Sequence, residues 1–222
     1  MASNPFHQEL MNKTQAAYDR ISRWYDLVEG NWEKPARNAG LHWLAAAPGE
    51  KILEIGTGTG SACLRLAVAT GSNGLVIGVD LSNGMLRMAH RRLQKPVVLS
   101  QVCLLNGDAC ALPVRSSSMD AVYSSFTLEL FVEIDILNVL RECRRVLKPG
   151  GRICLVSLTA SGKPSLPRRL YEWCHRHMPD VVDCRPIHVK EYLNNTGFKL
   201  QNSLYTHLWR IPIEIVLANS PG

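Results

Sequence analysis

Short apolar runs separated by stretches of helical period dominate the chain. "KILEI" (51–55), "GLVIGVD" (74–80), "VCLLNGD" (102–108), "DAVYSSF" (120–126) and "RICLVSL" (152–158) are near-continuous in apolar residues. That is the pattern of strands covered on both faces. Between the last two, "VEIDILNVLRECRRVL" places apolar groups at 136, 137, 139, 140, 143, 146 and 147, a wide stripe at helical spacing. Lys148-Pro149-Gly150-Gly151 predicts the stop of that helix and a turn. Ser82 is the expected N-cap of the helix "NGMLRMAHRRL". "KLQNSLYTHLW" and "IPIEIVLA" read as two closing strands joined near Arg210–Pro212. Strand–helix alternation predicts an α/β fold with a doubly wound, mostly parallel sheet.

Residues 9–46 read as two helices ahead of the first strand, carrying Tyr18, Trp24, Tyr25, Trp32 and Trp43. Residues 1–46 are therefore expected to form a helical lid. Residues 47–222 are expected to be the main domain of a single compact unit, with a segment 159–195, Pro-rich at first, inserted on its ligand side. The pattern shows no internal repeat and no low-complexity segment.

Composition narrows the class. The 222 residues suffice for a substantial core, and 46% hydrophobic with 20% charged residues is the balance of a globular enzyme. No apolar run approaches the roughly 20 residues that would span a bilayer. The N-terminal "MASNPFHQELMNK" lacks an apolar signal core. Seven scattered cysteines without a C-x-x-C pair fit a reduced, cytoplasmic protein. Cys63, Cys103, Cys143 and Cys154 fall in apolar patterns and are expected to be buried. Cys174 and Cys184 are expected to be more reactive. The net charge of +6 clusters in 87–95, 141–152 and 163–176. Solvated helix faces account for most of it, and a peripheral membrane or lipid contact is the acidic-partner alternative.

Candidate chemistry centres on "ILEIGTGTGSA". Its glycines run G-x-G-x-G at 56, 58 and 60, and no register matches the dinucleotide fingerprint G-x-G-x-x-G. Glu54, Asp80 and Asp108 close the first three predicted strands, and in an open α/β sheet the ligand crevice lies outside the carboxyl ends of the strands. Three acids there repel a pyrophosphate and attract an ammonium, a sulfonium and a ribose diol. S-adenosylmethionine carries all three and no phosphate.

"LEIGTGTG", "GVDLS", "NGDACALP", "MDAVYSSFTLEL" and "RVLKPGGRICLVSL" stand in the order and spacing of class I S-adenosylmethionine-dependent methyltransferases. The chain most resembles the ubiquinone/menaquinone-biosynthesis methyltransferase family, over roughly residues 16–218. "AYDRISRWYDLVEG" is similar to that group's N-terminal segment. The resemblance implies a Rossmann-like seven-stranded sheet and S-adenosylmethionine as methyl donor, leaving S-adenosylhomocysteine. It implies that Gly56, Gly58 and Gly60 admit the methionine and ribose portions, that Glu54 supports the loop and the ammonium, and that Asp80 holds the ribose hydroxyls. By the same resemblance Leu81 and Met85 pack on the adenine, and Asp108 with the Ala109 backbone reads its edge. Ser124, Ser125 and Phe126 line the methyl side, and Tyr18 and Tyr25 close over it.

Methyl transfer is an in-line displacement at an activated sulfonium, so alignment and water exclusion are the protein's main task. A base is needed only where the acceptor must lose a proton. His175, His177, Glu129 and Tyr25 are the candidates. Cys174, His175, His177 and Cys184 match no strong zinc spacing, and no metal is expected. The quinone-methylating members carry an Arg-Asn element after the fourth strand, where this chain has "SSFTLEL". The resemblance therefore carries the cofactor and leaves the acceptor open. The expected acceptor is a small apolar or aromatic molecule, quinol-like or lipid-like, with an anionic group of it near Arg185. A phospholipid or amine methyltransferase, a nucleic-acid methyltransferase and a non-catalytic S-adenosylmethionine-binding protein are the alternatives. Nucleic acid is disfavoured because the Asn/Asp-Pro-Pro-aromatic motif of base-amine methylators is absent.

Overall fold

A computed structural model describes residues 33–94, 101–160, 185–208 and 211–221. Tyr18, Tyr25, Cys174, His175, His177 and Cys184, and with them most of the expected lid and insertion, lie outside the described residues. Seven strands form one sheet: β1 (Lys51–Ile55), β2 (Leu75–Asp80), β3 (Val102–Asn106), β4 (Met119–Ser125), β5 (Leu147–Leu158), β6 (Lys199–Leu208) and β7 (Ile211–Asn219). Their order is β3-β2-β1-β4-β5-β7-β6. The first five are parallel, while β7 runs antiparallel to both β5 and β6. This is the doubly wound, mostly parallel sheet that the strand–helix alternation predicts.

Helices α1 (Lys34–Leu44), α2 (Ser61–Thr70), α3 (Asn83–Arg92), α4 (Glu133–Val146) and α5 (Val189–Asn195) cover the sheet. One core includes Leu53, Val122, Ile153 and Val216 with the buried stripe of α4, namely Ile136, Val139, Leu140, Cys143 and Val146. The opposite face packs Ile52, Val76, Tyr123, Val156 and Ile215 against Leu44, Leu66 and Ala67 of α1 and α2. Strand residues alternate between these two cores because successive side chains point to opposite faces.

Although α1 falls within the expected lid segment 1–46, it lies flat against β4, β5 and β7. Gly40 permits the approach, since a Cβ there would sit 2.4 Å from Val156 Cγ2. The Tyr123 hydroxyl donates to the Arg37 carbonyl at 2.9 Å, which satisfies a phenol in an otherwise apolar layer.

Two boundaries and one burial differ from the sequence pattern. β5 starts at Leu147, so Lys148–Gly151 is extended rather than a turn: Met119 pairs with Leu147, the register then shifts, and Ala121 pairs with Arg152. The glycines serve an irregular strand, with Gly150 at φ +74°. β3 stops at Asn106, so Asp108 stands two residues beyond the strand end and caps a single 3₁₀ turn, Ala109–Ala111. Cys103 is exposed, while Cys63, Cys143 and Cys154 are buried as expected. β3 pairs only with β2, at the edge of the sheet, and none of its residues is fully buried.

Candidate active site

β1 ends in a loop whose backbone is bound to its neighbour. Gly56 N–H and Thr57 N–H both donate to the Val79 carbonyl, at 2.9 and 3.2 Å, and Gly60 N–H returns to the Thr57 carbonyl at 2.9 Å. Gly56, Gly58 and Gly60 have φ of +69°, +52° and +79°, conformations that L side chains rarely adopt. The three answer to different surroundings. A Cβ on Gly56 would lie 2.1 Å from Thr127 Oγ1, and one on Gly60 would lie 2.9 Å from Ala89 Cβ. A Cβ on Gly58 would meet nothing within 4 Å. Gly56 and Gly60 therefore pack the loop, and Gly58 faces open space at the carboxyl edge of the sheet.

Asp80 is aimed at that space by two backbone donors. Gly58 N–H reaches its Oδ2 and Ser82 N–H its Oδ1, both at 2.8 Å. Each carboxylate oxygen keeps lone-pair capacity for a further donor such as a diol hydroxyl. Ser82 caps α3 as expected, accepting from Met85 N–H at 3.1 Å, and Met85 is buried. Asp108 accepts from Cys110 N–H at 2.8 Å and sits partly exposed beside buried Ala109. Asp80 and Asp108 thus end or follow neighbouring strands on the β2–β3 side of the glycine loop.

Glu54 is placed differently. It is buried beneath the loop, its Oε2 has no hydrogen-bond partner among the described residues, and burial raises its carboxyl to about 8, opposed by a Cys63 hydrogen bond and the Arg37 charge. Burial, and after it the same carboxyl, push the Cys63 thiol well above its ordinary range.

On the other side of the loop, Ser124 is buried and donates to the Ile55 carbonyl at 3.0 Å, while Ser125 is partly exposed. Phe126 takes φ +52°, an uncommon conformation for a bulky side chain and one typical of functional loops. Thr127 then packs on Gly56. Glu129 follows in a single turn, Leu128–Leu130. Its Oε1 accepts from Leu158 N–H at 2.7 Å, its Oε2 is without a hydrogen-bond partner among the described residues, and burial raises its carboxyl to about 8. Arg185 Nη2 donates to the Phe131 carbonyl at 2.9 Å, next to this turn.

Sequence patterns alone did not reveal Arg92, Asn106 or Thr127. Arg92, in a segment that reads as a solvated basic face, donates to Thr59 Oγ1 at 2.6 Å and also to Ser61 Oγ, bracing the glycine loop from α3. Asn106 donates to the Asp80 and Leu81 carbonyls at 3.1 and 2.7 Å. Its place in the turn "NGD" was the one available signal.

The methyltransferase domain family matches residues 52–151. The chain is 31% identical to the 2-phytyl-1,4-naphtoquinone methyltransferase of Nostoc punctiforme, over 72% of this chain and 67% of that one. It is 35% identical to the demethylmenaquinone methyltransferase of Symbiobacterium thermophilum, over 68% of this chain and 61% of that one. The chain belongs to the class I S-adenosylmethionine-dependent methyltransferases. A solved S-adenosylmethionine-dependent methyltransferase from Aquifex aeolicus shares the fold, with TM-score 0.62, 21% identity, and coverage of 83% and 89% of the two chains.

The residues of this methyltransferase fit the family's cofactor. Open space stands where a Gly58 side chain would be, an oriented Asp80 carboxylate borders it, and an orphaned Glu54 oxygen lies under the loop. When bound, S-adenosylmethionine supplies an activated methyl group. Asp80 would hold its ribose, Asp108 and Ala109 its adenine, and the loop Gly56–Gly60 its methionine portion.

Proposed function

We propose that the chain methylates a small, hydroxyl-bearing aromatic molecule of the naphthoquinol type, using S-adenosylmethionine. The supporting observation is the likeness to two naphthoquinone-type methyltransferases, joined to a glycine loop at the carboxyl edge of the sheet whose Gly58 N–H orients the Asp80 carboxylate. With Asp80 and Asp108 holding the nucleoside, the methyl end would lie on the β4–β5 side, where the acceptor would enter. The chain's task there is to align the acceptor and exclude water. Among the described residues no helix is long and apolar enough to cross a bilayer.

The test is transfer of labelled methyl to 2-geranyl-1,4-naphthoquinol kept reduced with dithionite, beside phosphatidylethanolamine and RNA as competing acceptor classes. Label in the naphthoquinol alone is the expected result. Label only in the lipid or the RNA overturns the acceptor. Cofactor binding without label in any of them favours a binding protein.

A further inference from the structure

Glu129 stands out among the buried ionisable groups. Glu54 lies beneath the glycine loop and belongs to the cofactor site, and Glu214 is paired with Lys190 Nζ at 2.6 Å. Glu129 is 1% exposed, its Oε1 accepts from the Leu158 N–H at the end of β5, and its own backbone N–H also favours the carboxylate. Its other oxygen has no hydrogen-bond partner among the described residues. A carboxyl is costly to bury half-satisfied, so its presence calls for an occupant with a polar hydrogen.

Its position indicates which occupant. The turn Leu128–Leu130 follows β4, and Thr127 packs on Gly56, so Glu129 is two residues beyond the side chain that meets the glycine loop. In the sheet order, Asp80 and Asp108 stand on the β2–β3 side of that loop, and Glu129 bridges β4 and β5 on the other. A ligand held at its nucleoside end beside β2 and β3 would have its opposite end on the β4–β5 side, where Glu129 stands. The charged group packed beside the turn, Arg185, directs Nη2 to the Phe131 carbonyl, and its backbone N–H reaches the Glu129 carbonyl at 3.5 Å. No charged side chain among the described residues is hydrogen-bonded to the Glu129 carboxyl.

We propose that Glu129 is the general base of the reaction, its unpartnered oxygen taking the proton of an acceptor hydroxyl as that acceptor is methylated. This rests on the hydroxyl-bearing acceptor of the preceding reading. The hydroxyl proton goes to Glu129 Oε2, and the oxygen's electron pair forms the new bond to the methyl carbon, directly or through a conjugated ring carbon. The carbon–sulfur pair returns to sulfur, leaving a neutral thioether. Where the ring carbon is methylated, its hydrogen then passes to the oxygen and restores the hydroxyl. A carboxyl raised to about 8 is matched to this exchange near neutral pH.

The experiment compares wild type with Glu129→Gln, whose amide oxygen can still accept from Leu158 N–H. With 2-geranyl-1,4-naphthoquinol, kcat/KM of the wild type should rise with pH to a plateau above about 8. Glu129→Gln should lose that rise and at least ~100-fold in kcat, with S-adenosylhomocysteine affinity within twofold of wild type. A second readout needs no turnover. Calorimetric affinity for 2-naphthol in the presence of S-adenosylhomocysteine should fall about tenfold in the variant. Naphthoquinol turnover and a pH profile unchanged by Glu129→Gln overturn the base while the acceptor stands. Wild type that methylates only phosphatidylethanolamine or RNA, or nothing, overturns the acceptor and the base together. If Glu129→Gln fails to fold, the wild-type profile decides, and a flat profile between pH 6 and 9 overturns the proposal.

Discussion

Gly56 and Gly58 share a left-handed backbone but have different neighbours, and that difference separates folding from binding. A methyl group on Gly56 strikes Thr127, whereas one on Gly58 enters open space. Gly56→Ala should cost about 2–4 kcal/mol of stability, from backbone strain and overpacking together. Gly58→Val should lose only the strain component in stability but at least ~10-fold in S-adenosylmethionine affinity. Asp80→Ala should weaken the cofactor by about 1–3 kcal/mol, through lost charged hydrogen bonds and the release of Gly58 N–H and Ser82 N–H. Thermal denaturation and calorimetric titration of the three variants check this. Wild-type affinity in folded Gly58→Val and Asp80→Ala would refute the cofactor assignment.

At the scale of elements, side chains that span long sequence distances lock the layers. Arg145 of α4 is bidentate to Glu142, at 2.7 and 2.8 Å, and also donates to the Leu112 and Val114 carbonyls at 3.0 and 2.8 Å. The helix is thereby pinned to the loop before β4. Arg152 of β5 does the same for α1. It contacts both Glu50 oxygens at 2.7 Å and caps the helix end through the Leu44 and Ala45 carbonyls at 2.6 and 3.0 Å. Bidentate geometry and partial burial make this pair stronger than an ordinary surface bridge. Arg152→Ala should lower the unfolding free energy by roughly 1–3 kcal/mol in urea titration. Because the pair sits at the edge of the sheet where β1 begins, cofactor affinity should remain within twofold of wild type. A large loss of affinity with unchanged stability would reverse the roles assigned to the two sheet edges.

At the scale of the whole molecule, two buried carboxyls oppose three paired ones in the response to pH among the described residues. Glu54 and Glu129 are raised from 4.5 to about 8 by burial. Between those values the unfolded chain releases their protons and the folded chain keeps them, so stability falls as pH rises from about 4.5 to 8. Glu50, Asp120 and Glu142 are lowered by Arg152, Lys148 and Arg145 respectively, against the opposing effect of burial. Their stabilisation is present above the ordinary carboxylate range and is lost as pH drops through it. Tm of the ligand-free protein should therefore be higher at pH 5.5 than at pH 8.5, and Glu129→Gln should flatten part of that slope. A Tm that rises between pH 5.5 and 8.5 in the wild type would show these two carboxyls to be ionised in the folded state.

The sequence by itself determined the central strands, the helices between them and the glycine loop. Buried parallel strands must be apolar runs, so 51–55 was legible to the residue and β2 and β4 to within one. The caps and glycines depend on local geometry, so Ser82 and the G-x-G-x-G loop could be read directly. Tertiary structure decided what depends on distant partners. Cys103 is exposed because β3 is an edge strand, and the Lys148–Gly151 glycines became a strand irregularity because Met119 pairs with Leu147. Arg92 braces the loop only because α3 runs back beside it. Glu129 is an ordinary carboxylate in the text of the chain. It becomes a half-satisfied buried acid only when β5, its partner 29 residues onward, closes beside β4 and removes water from one oxygen.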